Sequence, residues 1–176
     1  MIKITKIETP LGEMVAGATR DGICLLEFSG RENLSVEYEE LAKLLETTVR
    51  TGRSWHTWLL KRQLNEYFKG KRKEFTLKLV TPGTGFQQAV WKGLQKIPYG
   101  DTISYHEQAA ALNNINATRA VAQANASNRI AIVIPCHRVI GADGTLVGYG
   151  GGLERKRWLL IHERKNSGKP GELNLF

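Results

Sequence analysis

The stretch "IAIVIPCHRVIGADG", residues 130–144, drives an apolar run into a proline, a cysteine and a histidine. A free thiol has a pKa of about 8.5 and is only slightly ionised at neutral pH, so a nucleophilic cysteine needs a base or a positive field beside it. His137 and Arg138 place both residue types directly after Cys136. In an extended segment neighbouring side chains point to opposite sides, so His137 serves Cys136 only through a bend at Pro135 or a bridging water. An imidazole that accepts a proton also needs a carboxylate to orient it. Glu163, at the end of "LERKRWLLIHE", is the candidate. Cys24, in "GICLLEF", is the contrast: its flanks are apolar and no acid or base is near, the setting of a thiol used as a small buried hydrophobe. Adjacency alone leaves a structural role for Cys136 open.

The remaining composition narrows the chemistry. Two cysteines make neither a disulfide framework nor a CxxC metal knuckle, and Cys24 with His56 is an unpatterned pair, so no metal and no cofactor is expected. The net charge of +8 suits a polyanionic partner, although a solvated basic surface gives the same number. No apolar run reaches the length of a membrane span, and "MIKITKIETP" lacks the apolar stretch of a signal peptide. The expectation is a cytoplasmic protein, neither secreted nor bound to a membrane.

The elements that must position these residues fall into two parts, with "TPGTG" at 81–85 as the linker. Residues 1–80 read as an N-terminal α/β domain. "IKITKIE" and "EMVAGATR" flank the turn "TPLG", "ICLLEF" follows as a buried strand, and "EFTLKLV" returns as another. Leu34, Tyr38, Leu41, Leu44 and Leu45 mark one face of a helix between them. A second helix carries Trp58, Leu59, Tyr67 and Phe68, aromatic and apolar residues expected in the core, and stops at Gly70.

Residues 86–165 read as mostly helical, with 166–176 as a flexible tail. Phe86, Val90, Leu94 and Ile97 keep helical spacing until Pro98 and Gly100 end it. Ser104 with Glu107 three residues on forms a capping box for "YHEQAAAL". "NNIN" interrupts, and Asn116 is placed to cap "ATRAVAQANAS". Two short helices joined by a tight polar turn suggest a helix-turn-helix, a pattern that many non-binding hairpins share. The second helix is nearly bare, with Ala117, Ala120, Ala122, Ala124 and Ala126 around a single long cation, Arg119. Such a thin helix suits the narrow minor groove, yet alanine is also simply the best helix former and packs closely.

"IPCHRVIGADGTLVGYGGGLERKRWLLIHE", preceded by "SYHEQAA", "TRAVAQANASN" and the upstream "TPLG" turn, closely resembles the O6-alkylguanine-DNA alkyltransferases. The likeness runs from the "TPLG" turn to Glu163 and is densest over residues 85–163. It implies an α/β protein: a small ribonuclease-H-like N-terminal domain with a short β-sheet, then a winged-helix-like domain carrying the helix-turn-helix. It implies irreversible, single-turnover transfer of the alkyl group of O6-alkylguanine, and of O4-alkylthymine, to Cys136. The partner it implies is double-stranded DNA, bound through the minor groove by a monomer that flips the damaged base. His137 then matches the water-mediated base, Glu163 the carboxylate that holds it, and Asn128 the asparagine that ties the turn to the helix-turn-helix. Tyr105 matches the tyrosine that donates to the flipped guanine, and the carbonyls of Cys136 and Val139 would read its exocyclic amine. Tyr149 and Gly150 would line the pocket. Arg119 matches the finger that fills the space left by the base, with Asn116, Ala117 and Ala120 against the DNA.

Two departures from the family pattern bear on the range of alkyl groups accepted. Arg129 and Ala131 stand where the family often has prolines, and Gly150 stands where it usually has a serine. Three other readings compete: a lesion-binding relative that does not react, which would lack the acceptor cysteine; a cysteine hydrolase using Cys136 and His137; and a helix-turn-helix regulator with a structural thiol.

Overall fold

Isoleucines alternating with lysine and threonine make β1 (Ile2–Ile7) a strand buried at both ends. The computed structural model describes residues 1–171 and 173–175. It divides into two compact units, residues 1–83 and residues from Thr84 onward. In the first, β1 pairs antiparallel with β2 (Met14–Ala18) across the "TPLG" turn, where Thr9 and Gly12 exchange backbone hydrogen bonds of 3.2 and 3.0 Å. Gly12 takes φ 109° there, which a side chain would resist. The wholly buried β3 (Ile23–Phe28) pairs with β2, and the short β4 (Val49–Thr51) runs parallel to β1. The strand order is β3-β2-β1-β4. From α1 (Leu34–Leu44), Leu41 packs into a cluster with Ile2, Val15, Cys24 and Leu25. Helix α2 (Trp55–Phe68) starts at a capping box of Ser54 and Thr57 and buries Leu60, Leu64 and Tyr67.

Three features of this unit depart from the sequence reading. β4 is only three residues long and carries no alternation to reveal it. "EFTLKLV" forms no strand: Leu79 makes a single parallel bridge to Ile23. Gln63 of α2 explains this, because its side chain takes the backbone N–H of Thr76 at 2.9 Å and reaches the Thr76 carbonyl at 3.3 Å. A side chain thereby satisfies groups that a ladder would otherwise use. Finally, Trp58 is not in the core; it stands on the outer face of α2, stacked on Trp55.

The second unit opens with α3 (Gly85–Leu94), capped reciprocally by Thr84 and Gln87. β5 (Ile103–Ser104) pairs parallel with β6 (Val139–Ile140). α4 (Tyr105–Ala111) begins at the expected capping box, in which Ser104 accepts from the Glu107 N–H and Glu107 accepts from the Ser104 N–H. It ends in a Schellman motif: Asn113 takes φ 56°, its N–H donates to the Ala110 carbonyl, and that of Asn114 donates to Ala109. Asn116 does not cap the next helix. It lies inside a single 3₁₀ turn (Ile115–Ala117), so its own backbone is already helical, and α5 (Thr118–Ala126) begins without a side-chain cap. Gln108 of α4 and Asn125 of α5 exchange two buried amide hydrogen bonds of 3.1 and 2.7 Å, which fix the helix-turn-helix. The last helix, α6 (Leu153–Ser167), extends into the segment expected as a tail. Residues 172 and 176 of that segment lie outside the described residues. Among the described residues no helix is long and apolar enough to cross a membrane.

Candidate active site

The segment between α5 and β6 is built from tight turns. The Val133 N–H donates to the Ala131 carbonyl at 2.8 Å across Ile132, whose φ is 71°. That γ-turn puts a β-branched residue in the left-handed region, a strain of about 1–3 kcal/mol that persists only where surroundings enforce it. Pro135 (φ −83°, ψ 61°) centres a second, relaxed γ-turn, closed by the Cys136 N–H on the Ile134 carbonyl at 2.8 Å. Asn128 is the enforcing side chain. Its Oδ1 accepts from the Ile130 N–H at 3.0 Å, and its Nδ2 donates to the Ile134 carbonyl at 2.9 Å. The same Nδ2 reaches Cys136 Sγ at 3.4 Å. One buried amide therefore holds the turn and touches the thiol.

Cys136, His137 and Arg138 form a 3₁₀ turn in place of an extended segment. Cys136 is partly exposed, while His137 is fully buried. His137 Nε2 lies 2.7 Å from Glu163 Oε1. Arg138 grips the same carboxylate twice, through Nε to Oε2 at 2.8 Å and through a terminal nitrogen to Oε1 at 3.0 Å. The Gly100 N–H adds a fourth donor at 3.2 Å. Gly100 has φ 79°, and a Cβ there would lie 2.6 Å from Ser167 Cβ, so only glycine brings this N–H to α6. Burial alone would raise the Glu163 carboxyl, but His137 and Arg138 outweigh it and hold Glu163 well below the usual carboxylate range. Burial pushes the His137 imidazole down, against the pull of Glu163. Glu163 is thus an anion that only accepts, which fixes the proton of neutral His137 on Nε2 and leaves Nδ1 as an acceptor. That Nδ1 is buried and has no hydrogen-bond partner among the described residues.

Behind the thiol, fully buried Lys156 of α6 donates to the carbonyls of Val139, Val147 and Gly148 at 2.6, 2.9 and 3.4 Å. Burial lowers its ammonium to about 8, opposed by Cys136. The Tyr105 hydroxyl donates to the same Val147 carbonyl at 3.0 Å, and its ring lies 5.8 Å beneath Lys156 Nζ. Burial raises the Tyr105 hydroxyl to about 12, so it remains a proton donor at neutral pH. Tyr149 stands edge-on to His137 with ring centroids 6.5 Å apart. The structure therefore joins Asn128, Cys136, His137 and Glu163, and it links Tyr105 to Val139 through Lys156 and the 147–148 loop.

The other expected residues lie apart from this cluster. Gly150 is exposed on the loop that leads into α6, and Asn116, Ala117, Arg119 and Ala120 lie at the start of α5. Arg119 and Ala120 are exposed there, whereas Ala124 is buried and its carbonyl accepts from Trp91 Nε1 at 2.8 Å. The small residues of α5 thus serve both a packed face and an open one. Sequence reasoning placed Arg138 beside the thiol but not on Glu163, and it missed Lys156. Lys156, in the charged run "LERKR", carried no signal.

A helix-turn-helix unit thus carries one partly exposed cysteine next to a buried histidine–glutamate pair. Residues 85–165 match the family described as "6-O-methylguanine DNA methyltransferase, DNA binding domain", and residues 2–81 match its "ribonuclease-like domain". The methylated-DNA–protein-cysteine methyltransferase of Mycolicibacterium paratuberculosis is 54% identical over 114 residues, 65% of this chain and 68% of that protein. The crystal structure of Mycobacterium tuberculosis O6-methylguanine methyltransferase is 39% identical, covers 98% of both chains and superposes with a TM-score of 0.81. That of Mycobacterium tuberculosis OGT in complex with DNA, also 39% identical, covers 94% of this chain and 93% of its own, with a TM-score of 0.77. The chain belongs to the 6-O-methylguanine DNA methyltransferase family, and its activity is transfer of a methyl group from methylated DNA to a cysteine of the protein itself.

Proposed function

We propose that the acceptor is Cys136 and that the protein repairs O6-alkylguanine, and O4-alkylthymine, in duplex DNA. The observation that carries this reading is the contrast between its two thiols. Cys24 is buried in the sheet and pushed up to about 12, whereas Cys136 is partly exposed and bonded to Asn128 beside a buried imidazole–carboxylate pair. His137 Nδ1 takes the thiol proton through a water, and Glu163 and Arg138 hold the imidazole in the tautomer that can do so. The sulfur–carbon bond forms as the carbon–oxygen bond breaks. The electron pair passes through O6 into the guanine ring, where Tyr105 donates a hydrogen bond, and the proton held by His137 returns through the water to neutralise the released base. Tyr105 must then give up its present bond to Val147, while the Val139 carbonyl, bonded to Lys156, keeps a second lone pair for the exocyclic amine. The thioether product offers no easy leaving group, so each molecule acts once.

A base inside a duplex is out of reach of such a turn, so the base is flipped, at a cost of a few kcal/mol that is lowest for a damaged base. The open face of α5, with Ala120 and Arg119, enters the minor groove, with Asn116 and Ala117 beside it and Arg119 filling the place of the extruded base. Tyr149 and Gly150 close the pocket. One chain holds every group required, so the working unit is a monomer. Neither cysteine is in a disulfide, which suits the reducing cytoplasm.

The test is stoichiometric. A duplex with one O6-methylguanine, given in excess, should yield one unmodified guanine per protein molecule and then stop. Arg119→Ala should slow this reaction far more than reaction with free O6-methylguanine. Continued turnover would refute the reading, and equal losses on both substrates would remove Arg119 from base flipping.

A further inference from the structure

The tryptophans of α2 have no place in the reaction above. Trp55 and Trp58 are 67% and 50% exposed, and their rings stack with centroids 4.6 Å apart at 21°. Two large indoles left in water on a rigid helix are unusual, because each forgoes the burial that normally stabilises it. Helical spacing continues this stripe through Arg62, Asn65 and Lys69. Trp58 forms the ridge between two grooves. One, of about 220 Å³, has Lys6, Arg53 and Lys61 as its only charged residues. The other, of about 450 Å³, carries Lys61, Arg62, Lys69 and Lys71 against a single acid, Glu66. Glu66 is already engaged by Arg62 and Arg72. Arg53, Lys61, Lys69 and Lys71 are exposed, and among the described residues they form no ion pair.

Flat aromatic faces interleaved with unpaired cations fit one partner chemistry closely. Bases present a flat π-face to each indole while the phosphates that link them meet the flanking lysines and arginines. A duplex conceals its base faces in the stack, so this surface suits an unpaired strand. An acidic protein segment would meet the cations but bring no ring to the indoles. We propose that the Trp55–Trp58 ridge is a second nucleic-acid site, on the first unit, that binds single-stranded DNA without sequence preference. This site stands independently of the assignment of Cys136.

The experiment uses the full-length protein and fluorescein-labelled oligothymidine, which contains no guanine and so no substrate. Trp55→Ala/Trp58→Ala should weaken binding by roughly ten- to a hundred-fold in anisotropy titrations. Lys61→Glu should weaken it too and flatten its salt dependence. Both variants should react with free O6-methylguanine at the parental rate, which shows that the fold survives. Photocrosslinks from 5-iodouracil in the strand should fall within residues 53–71. Unchanged affinity in both variants, or crosslinks confined to α5, would overturn the proposal. So would a tryptophan-dependent affinity for a polyglutamate peptide equal to that for the oligonucleotide, which would assign the ridge to a protein partner.

Discussion

Glu163 Oε1 sits 2.7 Å from His137 Nε2 while the same carboxylate is gripped by Arg138, and neither His137 nor Glu163 is exposed to solvent. The triad is electrically balanced when the imidazole is neutral, one anion against one guanidinium. Protonation of His137 would give it a positive charge.

Glu163→Gln keeps the shape but strands the Arg138 guanidinium in a buried site. Loss of one partner of a buried pair costs about 3–5 kcal/mol, and loss of the carboxylate that orients a catalytic histidine costs up to about 10⁴-fold in rate. Chemical denaturation and single-turnover methyl transfer should both register the change. A variant as stable and as fast as the parent would contradict the role assigned to Glu163.

Acid should destabilise the protein through the same cluster. Folding lowers the pKa of both Glu163 and His137, so between the folded and unfolded values the unfolded chain binds more protons. The linkage sign follows: their stabilisation is complete above the unfolded histidine value of about 6.5 and is lost as pH falls below it. Urea midpoints at pH 7 and pH 5 check this, with the lower midpoint expected at pH 5. A midpoint that rises toward pH 5 would contradict the buried, neutral His137.

The two thiols should differ sharply in reactivity. Burial raises Cys24 to about 12, so it holds almost no thiolate at pH 8, while Cys136 is within reach of solvent. Iodoacetamide should label one residue of the native protein, Cys136, and both only after denaturation. Native labelling of Cys24 would remove the contrast on which the acceptor assignment rests.

Much of this site was legible because its signals are local. Ser104 and Glu107 form the capping box that their spacing implies, and the bend expected near Pro135 is a 3₁₀ turn over Cys136–Arg138. Asn128 came only from family likeness, and Glu163 was a candidate by residue type that the likeness singled out, since no short-range pattern places a carboxylate 27 residues from a thiol. Lys156 was illegible for a physical reason. A lysine in a charged helix defaults to solvent, and this one is buried because carbonyls from Val139 and the 147–148 loop meet it through tertiary packing. Trp58 failed in the opposite direction: burial is the default for tryptophan, and only the three-dimensional position of α2 shows its ring exposed. Asn116 was misplaced as a cap because the 3₁₀ turn before α5 starts one turn early and leaves Ala117, which has no polar side chain, in the capping position.

The central claim, that Cys136 is the alkyl acceptor, is tested most directly by the mass of the protein after incubation with duplex DNA containing O6-methylguanine. The account predicts the addition of one methyl group, mapped by peptide fragmentation to Cys136, and none on a Cys136→Ala variant that still binds the duplex. Methyl found on Cys24, or transfer that persists in Cys136→Ala, would contradict it.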